Sequence, residues 1–419
     1  MLFVESYTHR DELAEVIGRW MVNKPQPGDV RLIKKVVNFN SYMARIWLDN
    51  LASEVLSSLF GAVPRRVGIK SKGQLKDFVI DHLIYTNARV GEMCARYRKF
   101  PEDYYRETPI DGSYYVIDVA GTLRLVGTTR LKYFRRIAEK GSRRIIDFML
   151  TRIRANADAL AEERARALGV PRHRLTTPPE EMAREFAHAE RRLVKSIKRG
   201  TIQADLPRMA IPDVAGLKVI VEANEYAKLL EVLKTQGHCQ VLEAEKHAGA
   251  YNAVNLRVAL TLPRALLSSY PPAGKYLRVL AFRGFDPDRV GAEFQEFLAT
   301  SEDTVIVEVI VSTFQEYLES EIGRCMHEER VLNQRAHREY NSHVANNVRH
   351  LMDYVLGLCR GPGMPEVTDV PIKLWVKYMP DTIEHLMRGL YLSDDVFFDT
   401  VVEPPTSLRA ASSPSAAPT

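Results

Sequence analysis

Two carboxylates in strand-like surroundings are the residues of this sequence best placed to do chemistry. Asp213 stands in Ile211-Pro212-Asp213-Val214-Ala215-Gly216-Leu217-Lys218-Val219-Ile220-Val221, just before a turn glycine and a run of β-branched residues. That puts a carboxylate at the mouth of a sheet, a usual position for a metal ligand; the alternative is a turn aspartate bonded to its own backbone. Glu308 lies in the middle of Thr304-Val305-Ile306-Val307-Glu308-Val309-Ile310-Val311-Ser312-Thr313, where six of ten residues are aliphatic. Such a strand is expected to be buried on both faces. A lone carboxylate there needs a cation, a metal or a hydrogen-bond network, unless the strand is an edge with Glu308 in water. Taken together, Asp213 and Glu308 offer two oxygen ligands to Mg²⁺, a hard cation held by carboxylates and substrate phosphates.

Two further runs supply complementary groups. In Lys246-His247-Ala248-Gly249-Ala250-Tyr251-Asn252-Ala253-Val254-Asn255-Leu256 a glycine leads into a strand on which Tyr251, Ala253 and Asn255 share a face. At roughly 3.3 Å per residue, Tyr251 and Asn255 stand about 13 Å apart, enough to span a nucleoside and its phosphates. A tyrosine there can stack on a base or simply be half buried. Lys246, Tyr251 and Asn255 are the candidates for binding an acceptor nucleotide. In Thr128-Thr129-Arg130-Leu131-Lys132-Tyr133-Phe134-Arg135-Arg136-Ile137-Ala138-Glu139-Lys140, Arg130 and Lys132 point the same way if a strand continues through Lys132. Arg136 and Lys140 then fall one helical turn apart. Together these side chains would present cations to a triphosphate, though a solvated basic helix face has the same composition.

The elements that must position these groups follow from periodicity. A short amphipathic helix covers 9–21, and longer helical stretches follow near 28–61 and 71–98. Ser113–Val119 and Leu123–Val126 read as strands around the Ala120-Gly121-Thr122 turn. A basic helix runs from about Leu131 to Ala165, is interrupted by Gly169 and Pro171, and is followed by another from Thr177 to about Arg199. Strand-like runs come next at Leu217–Val221, Tyr251–Leu262, Tyr276–Phe282 and Val305–Val311, with helices at Glu225–Lys234 and near 288–299. Phe314–Leu358 is helical and polar, a shorter helix covers 381–391, and the Pro/Ser/Ala-rich tail from Glu403 should be disordered. The pattern predicts an α+β protein: a mixed β-sheet core over 111–330 with a helical insertion at about 141–200. Helical regions flank it at 1–110 and 331–402, before a tail at 403–419.

Composition narrows the class. Apolar residues make up 46% and charged residues 26%, a globular balance. No 18-residue apolar stretch occurs and the first residues lack an apolar signal region, so a cytoplasmic protein with no membrane span is expected. Cys94, Cys239, Cys325 and Cys359 form no C-x-x-C pair, which argues against a zinc site or a disulfide framework. The net charge is only +5, yet residues 121–200 hold 20 Lys and Arg against 9 Asp and Glu. Such a block suits a polyanionic partner or is a solvated helix face.

The ordered set of runs resembles the synthetase domain of the RelA/SpoT alarmone enzymes, over roughly 113–330. The family's Asp before a Gly-Ile-Arg-Val-like strand is matched by Asp213, with Lys218 in place of the arginine. Its Gly-Tyr-x-x-x-His segment is matched by Tyr251 and Asn255, with Gly249 displaced by one residue. Its Glu-x-Gln-x-Arg-Thr strand is matched from Glu308 to Thr313, and its Ala-Glu-x-Gly-x-Ala-x-His helix by Ser320-Glu321-Ile322-Gly323-Arg324-Cys325-Met326-His327. The family's phosphate-binding pattern has the spacing of Arg130, Lys132, Ile137 and Lys140, with Arg136 where a serine belongs. Lys195-Ser196-Ile197-Lys198-Arg199 is a rival placement nearer Asp213, and the first is preferred.

The resemblance implies a nucleotidyltransferase-like core and Mg²⁺-dependent transfer of pyrophosphate from ATP to the 3′-hydroxyl of a guanine nucleotide. Asp213 and Glu308 would hold the metal, Arg130, Lys132 and Lys140 the ATP phosphates, and Tyr251 the acceptor base. Asn255 in place of histidine, with Ile310 and Ser312 in place of Gln and Arg, departs from the pattern. Two alternatives therefore stay open: a non-catalytic nucleotide-binding regulatory module, or a toxin-type enzyme that pyrophosphorylates the tRNA 3′ end. No His-Asp dipeptide occurs, so the family's companion hydrolase domain is expected to be absent.

Overall fold

Along β-branched runs of this chain, buried aliphatic residues alternate with partly exposed ones, and that period of two builds the sheet on which the carboxylates stand. The structure, a computed structural model, describes residues 2–84, 86–110, 112–202, 206–247, 252–323 and 342–391. In chain order the elements begin with β1 (Leu2–Val4), α1 (Arg10–Met21), α2 (Asp29–Phe60), β2 (Arg65–Val67), α3 (Lys72–Asp81) and α4 (Ala88–Lys99). The hairpin β3 (Gly112–Val119) and β4 (Thr122–Leu131) leads into α5 (Phe134–Ala167), α6 (Pro179–Arg199), β5 (Met209–Ile211) and β6 (Ala215–Ile220). Next are α7 (Tyr226–Thr235), β7 (Cys239–His247), β8 (Ala253–Thr261), α8 (Arg264–Ser269), α9 (Gly274–Phe282), α10 (Val290–Ala299) and β9 (Thr304–Ser312). The short α11 (Phe314–Leu318) continues into a π turn at Glu319–Gly323, and α12 (His343–Leu358) and α13 (Pro380–Tyr391) complete the described chain.

Seven strands form one mixed sheet in the order β2-β3-β4-β6-β9-β8-β7, with β6 and β9 parallel at its centre and the remaining pairs antiparallel. β1 pairs with β5 in parallel as a separate two-stranded ribbon. The architecture is thus α+β around a mixed sheet. One face is packed: Leu217, Val219, Leu256, Val258, Val307 and Val309 are fully buried there, and α2 lies against β4 and β6. Each such side chain contributes about 1.5–3 kcal/mol on leaving water. The same core runs on through α1, α5 and α12, so helices from both ends of the chain share it with the sheet. The other face is covered at one end by a second core, in which Leu75, Val79, Val90 and Tyr97 of α3 and α4 meet Tyr114, Ile220 and Tyr317. Farther along that face Lys218, Ile306, Glu308 and Ile310 are partly exposed.

This half-cover corrects the expectation that β9 is buried on both faces. Val305, Val307, Val309 and Val311 are buried, whereas Ile306, Glu308 and Ile310 on the opposite face are partly exposed. Residues 71–98 are not one helix. α3 ends before His82, and Asn87 caps a new helix by accepting from the Val90 amide at 2.9 Å. Tyr276–Phe282, expected as a strand, lies in helix α9, where Tyr276, Val279 and Leu280 are buried at helical spacing. A short, largely apolar run fits a buried strand and a buried helix alike. Gly216 is within β6 rather than in a turn. The helical hairpin of α5 and α6 stands where an insertion was expected; α5 alone, at 34 residues, is roughly 50 Å long. Among the described residues no helix is long and apolar enough to cross a membrane. Residues 324–341, which hold Arg324 to His327, and the 403–419 tail lie outside the described residues.

Candidate functional site

Strand register sets Glu308 in a row across the open face. Arg130 of β4 pairs with Gly216 of β6, Gly216 with Glu308 of β9, Glu308 with Arg257 of β8, and Arg257 with Glu243 of β7. Paired residues project to the same side, so the row alternates charges with one gap at Gly216. A Cβ at Gly216 would meet the Glu308 carbonyl oxygen at 3.1 Å and its Oε2 at 3.9 Å. The glycine therefore leaves open the space between Arg130 and the Glu308 carboxylate.

Asp213 reaches this cluster from the loop before β6. The Lys132 amide donates to the Val214 carbonyl at 2.7 Å, which carries the β4–β6 pairing one residue past β4 and sets Lys132 opposite Asp213. Helix α5 starts two residues later and buries Phe134, Ile137, Ala138 and Gly141. A Cβ at Gly141 would lie 2.7 Å from Leu2 Cδ2 and 3.2 Å from Met352 Cε, so the helix is held close to β1 and α12. That docking turns Lys140 toward Asp213. Lys132 Nζ and Lys140 Nζ both donate to Asp213 Oδ2, at 2.5 and 2.6 Å, and Lys132 Nζ also donates to the Asp213 carbonyl oxygen.

The electrostatics tie the two carboxylates into one group. Burial would raise the Asp213 carboxyl, but Lys132 and Lys140 outweigh it and hold the group at about 2. Burial pushes Lys132 down to about 8, with Lys140 adding to the effect and Asp213 and Glu308 opposing it. Glu308 is raised above the ordinary range: burial is the largest cause, Lys132 opposes it, Asp213 adds to it, and Lys140 and Arg130 oppose it more weakly. Asn255 stands beside Glu308, its Nδ2 donating to Oε1 at a long 3.5 Å, while its Oδ1 is buried with no hydrogen-bond partner.

The structure therefore brings together Asp213, Glu308, Arg130, Lys132, Lys140 and Asn255. Arg136, also on α5, pairs with Glu139 at 2.6 Å. Lys246 does not join them. It pairs with Val254, one register position from the Glu245–Asn255 pair, so its exposed side chain leaves the sheet on the face opposite Asn255. Tyr251 lies outside the described residues. Of the two basic segments, 130–140 is the one that contacts Asp213; Lys195, Lys198 and Arg199 are exposed on α6.

No family model, no curated protein and no solved structure matches this chain. The site must be read from its own residues.

Several of its members were not among the site residues expected from the sequence, although Lys218 and Glu321 occur in the matched runs. Lys218 shares the open face with Glu308, its Nζ 5.1 Å above the Tyr317 ring, and burial pushes it down to about 8. Period-two alternation from Gly216 would have shown its direction. Glu321, on the π turn, accepts from Lys72 Nζ at 2.6 Å. Arg257 is held by both Glu5 oxygens, at 2.9 and 2.8 Å, and by Glu243 at 3.2 Å. Nothing local in the sequence marks Glu5 or Lys72 as partners, because both reach the sheet from remote segments.

Chemically the cluster suits anions and hard cations. Three basic side chains face two carboxylates, and Asn255, whose Nδ2 meets Glu308, also holds an unpartnered side-chain oxygen. Among the described residues no group of three or more His, Cys, Asp or Glu converges. Mg²⁺ does not need one, since it is held by one or two carboxylates together with substrate phosphates and water.

Proposed function

We propose that this chain is a Mg²⁺-dependent pyrophosphotransferase of the RelA/SpoT synthetase kind, acting in the cytoplasm on a nucleotidyltransferase-like core. It would move pyrophosphate from ATP to the 3′-hydroxyl of a guanine nucleotide. The observation that carries the reading is the pair of carboxylates, 95 residues apart in sequence, sharing one lysine environment on the open face of the sheet. In-line attack on phosphorus mainly needs positioning and neutralised charge. Lys132, Lys140 and Arg130 supply the positioning by holding the donor phosphates. The acceptor oxygen bonds to the β-phosphorus, the bond from that phosphorus to the bridging α,β-oxygen breaks, and AMP leaves. Glu308, raised by burial, takes the hydroxyl proton as that bond forms. Asp213 and Glu308 would hold Mg²⁺, which adds positive charge beside the phosphates. The Gly216 gap leaves room for the reacting groups between Arg130 and Glu308.

A second reading, a nucleotide-binding regulatory module without turnover, draws on the clamp around Asp213. Two ammonium groups neutralise that carboxylate with no metal required. Asn255, Ile310 and Ser312 also make the acceptor side less polar than in the family. The readings separate on incubation with γ-labelled ATP, Mg²⁺ and one of GDP, GTP, ATP or deacylated tRNA. Label on a guanine nucleotide, lost in Asp213→Ala and in Glu308→Ala, supports transfer. ATP binding with no label on any acceptor supports the regulatory module, and label on tRNA moves the acceptor to the tRNA 3′ end.

A further inference from the structure

Beyond Asp213, the end of β5 and the residues after it (210–213), helix α5 and the C-terminal helices α12 and α13 border a half-open cavity of about 990 Å³. Lys140 and Asp213 form its boundary with the carboxylate cluster; Glu308, Arg130 and Lys132 do not line it. The volume is at the upper end of the range for small-ligand sites, ample for a nucleotide.

Its walls divide by chemistry. Arg136, Lys140, Arg143 and Arg144 recur at three- and four-residue spacing along the α5 wall, and Arg349 faces them from α12. The rings of His350 and Tyr378 are stacked, 14° from parallel with centroids 5.6 Å apart, and are joined by a 3.1 Å contact between His350 Nε2 and the Tyr378 hydroxyl. Ile383 and Met387 line the space with them. Asp147, Asp353 and Glu384 also line the space. Asp353 is half buried; burial pushes its carboxyl up to about 6, with Glu139 adding to the rise and Arg135 opposing it. A carboxylate in that place can accept from the ring or exocyclic N–H of a base, while guanidinium forks suit phosphate oxygens.

We propose that this cavity is a second nucleotide site, taking a nucleoside di- or triphosphate with its phosphates on Arg136, Arg143 and Arg349 and its base along His350 and Tyr378. The site borders the carboxylate pair at Asp213, uses arginines that the transfer site does not, and does not depend on transfer.

The test is calorimetric titration of the full chain with ATP, which the transfer site takes as donor. The wild type should bind two equivalents. Arg143→Glu, an exposed position where charge reversal leaves the core intact, and Arg349→Ala should each remove one equivalent, with the thermal midpoint unchanged. Lys132→Ala should remove the other. Inorganic tripolyphosphate, which has no base, should bind the cavity roughly tenfold more weakly than the nucleotide. One equivalent in the wild type that Lys132→Ala removes and Arg143→Glu leaves overturns the proposal, as do two equivalents that survive both cavity variants. One equivalent that Arg143→Glu removes and Lys132→Ala leaves upholds the cavity and overturns the transfer reading instead.

Discussion

Replacing Asp213 by asparagine keeps the shape of the side chain and removes its charge, which separates two roles the carboxylate could have. As a metal ligand it helps bind MgATP; as an anion beside phosphates it repels metal-free ATP. Its Oδ2 holds both Lys132 and Lys140, so a phosphate bound by those lysines lies within about 5 Å of it. At that distance, with an effective dielectric near 20, two unit charges interact by about 3 kcal/mol, and water at the rim reduces this to roughly 1–2 kcal/mol. Without metal, Asp213→Asn should therefore bind ATP about five- to thirtyfold more tightly than the wild type. With Mg²⁺ the sign should reverse, because one of two protein carboxylates has been lost from the metal. The same variant tests the clamp itself. Asp213, with a side chain 20% exposed, is held at about 2 against an ordinary 3.8, which stabilises the native state by about 2 kcal/mol at neutral pH. Since the folded value is the lower one, this stabilisation is present above about pH 4 and disappears as pH falls through about 2. Burial of the Lys132 ammonium offsets part of it, so urea unfolding at pH 7 should show a net loss of about 1–2 kcal/mol. Calorimetric titration with and without Mg²⁺ decides the main point. Tighter binding of Asp213→Asn under both conditions would refute the metal-ligand role.

Three further outcomes are expected. Glu308→Gln should lower transfer by about 10²-fold or more while unfolding in urea at pH 8 no more easily than the wild type, since the charged form of Glu308 is disfavoured by burial; a clear loss of stability would mean the carboxylate is structural. ATP affinity should fall as pH rises through about 8, where Lys132 loses its proton, and this fall should be absent in Lys132→Arg, which stays charged; an identical pH profile in the two proteins would remove Lys132 from the phosphate site. Gly112→Ala would place a Cβ 2.1 Å from the Thr129 carbonyl oxygen, a backbone atom that cannot turn aside, and should cost about 2 kcal/mol or more in urea unfolding; a wild-type midpoint would show that the β3–β4 pair can shift without penalty.

The centre of the fold was legible because its strands are runs rich in β-branched residues bounded by turn residues. The β3–β4 hairpin and β6, β8 and β9 stand where those runs put them, although the apolar run of β9 did not reveal that Glu308 lies on a partly exposed face. β7 gave no such signal: it is an edge strand exposed along most of its length, with Glu243 and Glu245 on one face and Lys246 on the other, so no apolar stripe marks it. Lys246 was misplaced for the same reason, since one register step decides the face and sequence alone does not fix register. The three-residue strands β1, β2 and β5 are too short to have a period. Long-range partners were illegible in principle. Glu5 holds Arg257 across 252 residues and Lys72 holds Glu321 across 249, contacts that only the folded topology creates.

The central claim is that Asp213 and Glu308 act together on one bound cation beside the lysines. Crystals grown with Mn²⁺ and a non-hydrolysable ATP analogue, measured near the manganese absorption edge, address it directly. An anomalous peak is expected within ligand distance of both carboxylates, with Lys132 and Lys140 moved from Asp213 onto the phosphates. A peak remote from either carboxylate, or an Asp213 still clamped by both lysines with the analogue bound, would contradict it.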